Sequence, residues 1–112
     1  MSSDPRRAKI AALNDLARKA MGLACRLVVT PGVNGLPAAD KSAIREKVEM
    51  FAAFDADNDS HSERDFGSFS HAGETIFWKI DYYNPTLDGG SEDPADPKKT
   101  ARVLTIMLAE EY

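Results

Sequence analysis

The side chains best suited to chemistry fall within residues 55–85, DADNDSHSERDFGSFSHAGETIFWKIDYYNP, which hold both histidines and the only tryptophan of the 112-residue chain. His61, Glu63, Asp65 and His71, with Asp81 further along, combine imidazole with carboxylate. That set binds transition metals or activates water in a metal-assisted hydrolase or nuclease. Their spacing does not force them together, so the plainer reading is of exposed loop histidines among acids that terminate hydrogen bonds. Asp55, Asp57 and Asp59 alternate as the first half of an EF-hand loop does. The match then fails, with Ser60 where the sharp turn needs glycine and Phe66 where calcium needs a bidentate glutamate. Asp65-Phe66-Gly67 repeats a kinase magnesium tripeptide without the glycine-rich loop and catalytic-loop asparagine that give it meaning. No nucleophile elbow, phosphate-binding glycine loop or paired-cysteine motif occurs, so no cofactor or metal site is specified.

The elements around this loop must position it. Ile76, Trp78, Ile80 and Tyr82 alternate with Phe77, Lys79, Asp81 and Tyr83, which predicts a strand with the first set in the core and the second on an exposed, partner-facing surface. Ala72-Gly73 supplies the reversal of a β-hairpin. Near the N-terminus, Asp4-Pro5 reads as a helix start. Ile10, Leu13, Leu16, Ala17, Ala20 and Met21 then make one apolar stripe, ended by Gly22, with Arg6, Arg7, Lys9, Arg18 and Lys19 on a solvated face. CRLVVT (25–30) reads as a strand and PGVNGLP as a loop. A second helix is predicted from about Asp40, burying Ile44, Val48, Phe51 and Ala52. NPTLDGGSEDPADP has loop composition, and Asp96-Pro97 repeats the helix-start signal. A last helix is therefore predicted over 97–111, with Val103, Leu104, Met107 and Leu108 inward. The expected order is α-β-α-β-β-α, a single compact α+β domain over 1–112 with a small, mostly antiparallel three-stranded sheet packed with helices.

Composition narrows the function classes. The formal charge is −4, but residues 1–54 hold nine Lys/Arg against five Asp/Glu and residues 55–112 hold five against thirteen. An acidic second half repels a phosphate backbone and attracts a basic surface, which makes direct nucleic-acid binding a poor expectation. The lone Cys25 excludes an intrachain disulfide and suits a reduced, cytoplasmic setting. The N-terminal stretch has neither a signal-peptide core nor a membrane span.

The run FWKIDYYNPTLDGGSEDPADPKKTARVLTIMLAEEY resembles domain of unknown function 3768, a family of small bacterial proteins often encoded on plasmids and other mobile elements. The likeness also takes in Ile10–Leu16 (IAALNDL), the strand near Val28, Asn58-Asp59, Glu63 and Asp65-Phe66-Gly67. In the family pattern the stretch before Phe66 commonly reads Asn-Asp-Pro-x-Gly-Glu-His-Asp. Here Ser60, Ser62 and Arg64 stand where Pro, Gly and His are frequent. An arginine at 64 departs from a metal-binding or catalytic role for the loop. The resemblance implies one domain, a bacterial cytoplasmic setting and no established activity. Its mobile-element context implies an accessory or defence-modulating role.

The expectation is a non-enzymatic interaction protein. Asp55, Asp57, Asp59, Glu63, Asp65, Glu92 and Asp93, with Phe77 and Tyr83, would engage a protein partner through its basic surface. A homodimer is left open. The alternative is the hydrolase reading built on His61, Glu63, Asp65, His71 and Asp81.

Overall fold

The computed structural model describes residues 4–59 and 61–112. Helix α1 spans Pro5–Lys19; the Asp4 carboxylate accepts from the Arg6 N–H at 2.9 Å and Pro5 occupies the first turn, as the sequence predicts. Gly22, at φ +84°, lies beyond the helix end and turns the chain into strand β1, Arg26–Val29. The predicted loop after it contains a short helix, α2 (Pro31–Asn34), and α3 follows at Ala38–Glu49. Strands β2 (Phe66–His71) and β3 (Glu74–Tyr83) form the predicted hairpin. Its turn is Ala72-Gly73, with φ +51° and +81°, the left-handed pair that a two-residue hairpin loop requires.

The predicted last helix is instead a strand. Asp96 and Pro97 do start a helical turn, since the Asp96 carboxylate accepts from Lys98 N–H, but it is one 3-10 turn over Pro97–Lys99. The chain then extends into β4, Ala101–Leu108. Val103, Leu104, Met107 and Leu108 fit a helical stripe, yet burial follows Arg102, Leu104, Ile106 and Leu108, the two-residue period of a strand, with Met107 also covered. The β-branched Val103, Thr105 and Ile106 favour that outcome.

The architecture is α+β with a four-stranded mixed sheet ordered β1-β4-β3-β2, rather than the expected three-stranded one. β4 lies centrally, parallel to β1 (Arg26↔Val103 to Val29↔Ile106) and antiparallel to β3 (Ile76↔Leu108 to Tyr83↔Ala101). All three α-helices cover one face. Ala17 of α1, Met21 just beyond its end, Val33 of α2, and Ile44 and Val48 of α3 pack on Ile76, Trp78, Ile80, Leu104, Ile106 and Leu108. The other face carries Phe66, Phe77, Lys79, Asp81 and Tyr83, as the alternation predicts. Among the described residues, Tyr112 folds back onto it, edge-on to Phe77 and Phe66 with ring centres 5.7 and 6.4 Å away.

Candidate functional site

The acidic loop is built from short-range hydrogen bonds. Asp55 Oδ1 accepts from the N–H groups of Asp57 and Asn58, and Asp59 Oδ1 accepts from those of Glu63 and Arg64. Asn58 completes the first turn, accepting from Asp55 N–H and donating to Ala53 O. One oxygen each of Asp55 and Asp59 is thereby committed to folding the loop. Ser62 and Arg64 both take left-handed backbone, φ +58° and +56°, a conformation that only glycine holds without strain. Ser60 lies outside the described residues.

This loop faces α1 across a groove of about 540 Å³, with Ala8, Ala11 and Ala12 along its floor and Asp15, Phe54, Asp55, Asp59, Ser62 and Arg64 at its rim. Arg64 lies in the rim as a bound cation would. Its Nη1 donates to Asp15 Oδ2 at 3.0 Å and its guanidinium carbon stands 5.2 Å from the centre of the Phe54 ring. The guanidinium and the Asp15 carboxylate satisfy each other by charge, and the ring face adds a cation–π contact.

Behind the groove two arginines are buried, and the sequence reading missed both. Arg18, predicted on a solvated face, is 2% exposed. Its Nη1 donates to the carbonyls of Val48, Glu49 and Phe51 and its Nη2 to Asp15 Oδ1 at 2.6 Å, so it joins α1 to the negative end of the α3 dipole. Arg6, Arg7, Lys9, Arg18 and Lys19 consequently do not share one accessible face. Arg102 donates to Asn14 Oδ1 at 2.7 Å and to Pro94 O. Asn14, fully buried, also donates to Glu63 O and to Tyr82 Oη, and Tyr82 donates to Glu63 Oε1 at 2.9 Å. This chain of bonds fixes the end of the acidic loop to α1, β3 and β4. The available signal was position: Asn14 and Arg18 follow Ile10 at four-residue steps, and Arg102 alternates with Leu104. Leu16, counted in the apolar stripe, is 56% exposed.

The proposed catalytic set does not converge. His61, Glu63 and Asp65 stay close enough that His61, Glu63 and Asp59 all act on the Asp65 carboxyl. Burial raises that carboxyl above the ordinary range, with Glu63 and Asp59 adding to the effect and His61 opposing it. His71 lies at the other end of β2, where its Nε2 meets Asp40 at 2.9 Å and its Nδ1 meets Lys47. Asp81 projects from the open face, paired with Lys79 at 2.8 Å. Burial drives the Tyr82 phenol far above its ordinary value, so it stays protonated and serves the bond to Glu63. Among the described residues no group of three or more His, Cys, Asp or Glu is placed to hold a metal ion.

The binding candidates do not share one surface. Asp55, Asp57 and Asp59 belong to the loop at the groove, while Phe77 and Tyr83 lie across the sheet on the open face. Glu92 is exposed, and Asp93 bridges Arg6 at 3.1 Å while accepting from Ala95 N–H. Among the described residues no helix is long and apolar enough to cross a membrane.

Fold and loop together define a small α+β module with one helix-covered sheet face. The chain belongs to the family described as protein of unknown function (DUF3768), whose model matches residues 29–111. The likeness read at Ile10–Leu16 lies outside the matched residues. No curated protein and no solved structure matches the chain.

Proposed function

We propose that this protein is a non-enzymatic interaction module that takes a basic, arginine-bearing segment of a protein partner into the groove between α1 and the acidic loop. The observation that carries the reading is Arg64, held in that groove by Asp15 and Phe54 as an internal counterpart of the incoming side chain. Asp55 and Asp59 line the same groove and Asp57 lies between them in the loop, adding negative charge that speeds encounter and selects against acidic partners. Such a module suits a bacterial cytoplasmic accessory or defence-modulating factor that occupies a surface its partner otherwise offers to phosphates.

The test uses fluorescein-labelled octa-arginine and octa-glutamate as probes, titrated at several salt concentrations. Asp55/Asp57/Asp59→Asn keeps the turn-forming Oδ1 acceptors and removes the charge. It should weaken octa-arginine binding about tenfold, while Glu46/Glu49/Glu74→Gln, equal in charge but remote, leaves it within about twofold. Arg64→Ala should tighten binding by vacating the slot. Equal losses in both triple variants, or an affinity independent of salt, would sink the reading.

A further inference from the structure

The helix-covered side of the sheet is not filled at its β1 edge. There α3 sets Ala38, Lys41, Ser42 and Arg45 against Leu27 and Val29 of β1, the three- and four-residue spacing of a single helix face. Two of those four residues are small. Where a large apolar side chain would close the gap, the helix offers a methyl and a hydroxymethyl group, and a cavity of about 300 Å³ is left between β1, α2 and α3. Its inner wall is Val33, Ile44 and Ile106, each no more than 2% exposed.

The mouth of this cavity carries charge of one sign. Lys41 and Arg45 stand one helical turn apart, and none of the lining residues is acidic. Neither cation has an ion-pair partner among the described residues, although Glu49 lies one turn beyond Arg45. Lys41 also sits in the first turn of α3, at the positive end of the helix dipole, where a cation costs stability and an anion restores it. In a chain of net charge −4, an apolar wall under a cationic rim is complementary to one kind of molecule.

We infer that the cavity binds a small monocarboxylic acid with an unbranched apolar tail. The tail lies against Val33, Ile44 and Ile106, the carboxylate lies between Lys41 and Arg45, and the Ser42 hydroxyl is a further donor at the mouth. Apolar walls with a few convergent polar groups are the usual make-up of a small-molecule site. The volume is at the lower end of the range for such sites, which suits one short chain rather than a two-chain lipid or the face of a folded partner. The cavity shares no residue with the acidic groove, so either reading can fail alone.

The test is a chemical-shift titration of the full chain by NMR with octanoate. Saturable binding is expected with a Kd on the order of 0.1–1 mM, with the largest amide shifts at Leu27, Val33, Lys41 and Ile106. Hexanoate, two methylenes shorter, should bind roughly tenfold more weakly. Lys41→Gln/Arg45→Gln should weaken octanoate about tenfold yet leave uncharged octanol within about twofold, whereas Lys98→Gln/Lys99→Gln, equal in charge but remote, should leave both unchanged. Ser42→Phe fills the cavity and should remove octanoate binding without lowering the melting temperature. No saturation by about 10 mM, shifts confined to the acidic groove or the open sheet face, or equal losses in the two double variants would each overturn the assignment. So would tighter binding of an acetylated tripeptide ending in a free valine carboxylate, which would make the occupant a chain terminus.

Discussion

Asp65 is the residue at which burial works against the fold. Its carboxyl is raised because desolvation disfavours the charged form, and Glu63 and Asp59 repel it further. Between the ordinary aspartate value and the raised one, the native chain holds more protons than the unfolded chain, so stability falls as pH rises through that window. The penalty is complete above it. Asp65→Asn removes the charge and should raise the melting temperature by a few degrees at pH 7, with the gain vanishing below about pH 4. A gain that is the same at every pH would mean that packing, not ionisation, is responsible. The buried Arg18 and Arg102 are the opposite case. Both remain tolerable because carbonyl and amide oxygens, a carboxylate and ring faces replace water around the guanidinium.

At the level of elements, the pairing of β2 with β3 depends on Gly67. A Cβ there would overlap the indole of Trp78, which is packed between Phe51, Phe54 and the Arg18 guanidinium and has no room to retreat. Gly67→Ala should cost about 1–3 kcal/mol, a drop of roughly 4–13 °C in melting temperature, with the tryptophan fluorescence of the folded state displaced. A variant as stable as the parent would show that the indole can move aside. The hairpin was readable because alternation at Ile76–Tyr83 and a positive-φ turn at Ala72-Gly73 agree with each other. β4 was not, because five apolar residues within six positions satisfy both periods, and the choice between them was made by what lies on either side: β1 and β3 each need it as a neighbour. The acidic loop was legible as a loop. Its groove was not, because Arg64 meets Asp15 across 49 positions of sequence and only the path of α1 brings them together.

The whole molecule is closed by its C-terminal turn. Glu111 accepts from Thr30 Oγ1 at 2.6 Å, from Leu108 N–H and from Gly32 N–H, tying the end of β4 to the junction of β1 and α2. The Thr30 hydroxyl bond, with the two N–H groups, holds this carboxyl below the ordinary glutamate value. A depressed carboxylate contributes stability that is present above the unfolded value near 4.5 and is lost as pH falls through the folded one. Glu111→Gln should therefore melt about 1–3 °C lower at neutral pH and match the parent in acid, a convergence that thermal scans from pH 3 to 7 would reveal. No change at neutral pH would show that the tie is made by neighbouring contacts instead.

The central position of β4 also sets an order of events at the ribosome. β1 pairs with β4 alone, and the registered residues Arg26 and Val103 are 77 positions apart in the sequence. Until Ala101–Leu108 emerges, only the β2–β3 hairpin has its partner, and the apolar sides of three helices have half a sheet to cover. Assembly is thus a late, long-range event, slow for a chain of this size, and the nascent protein spends most of its synthesis with an unpaired strand and an uncovered core.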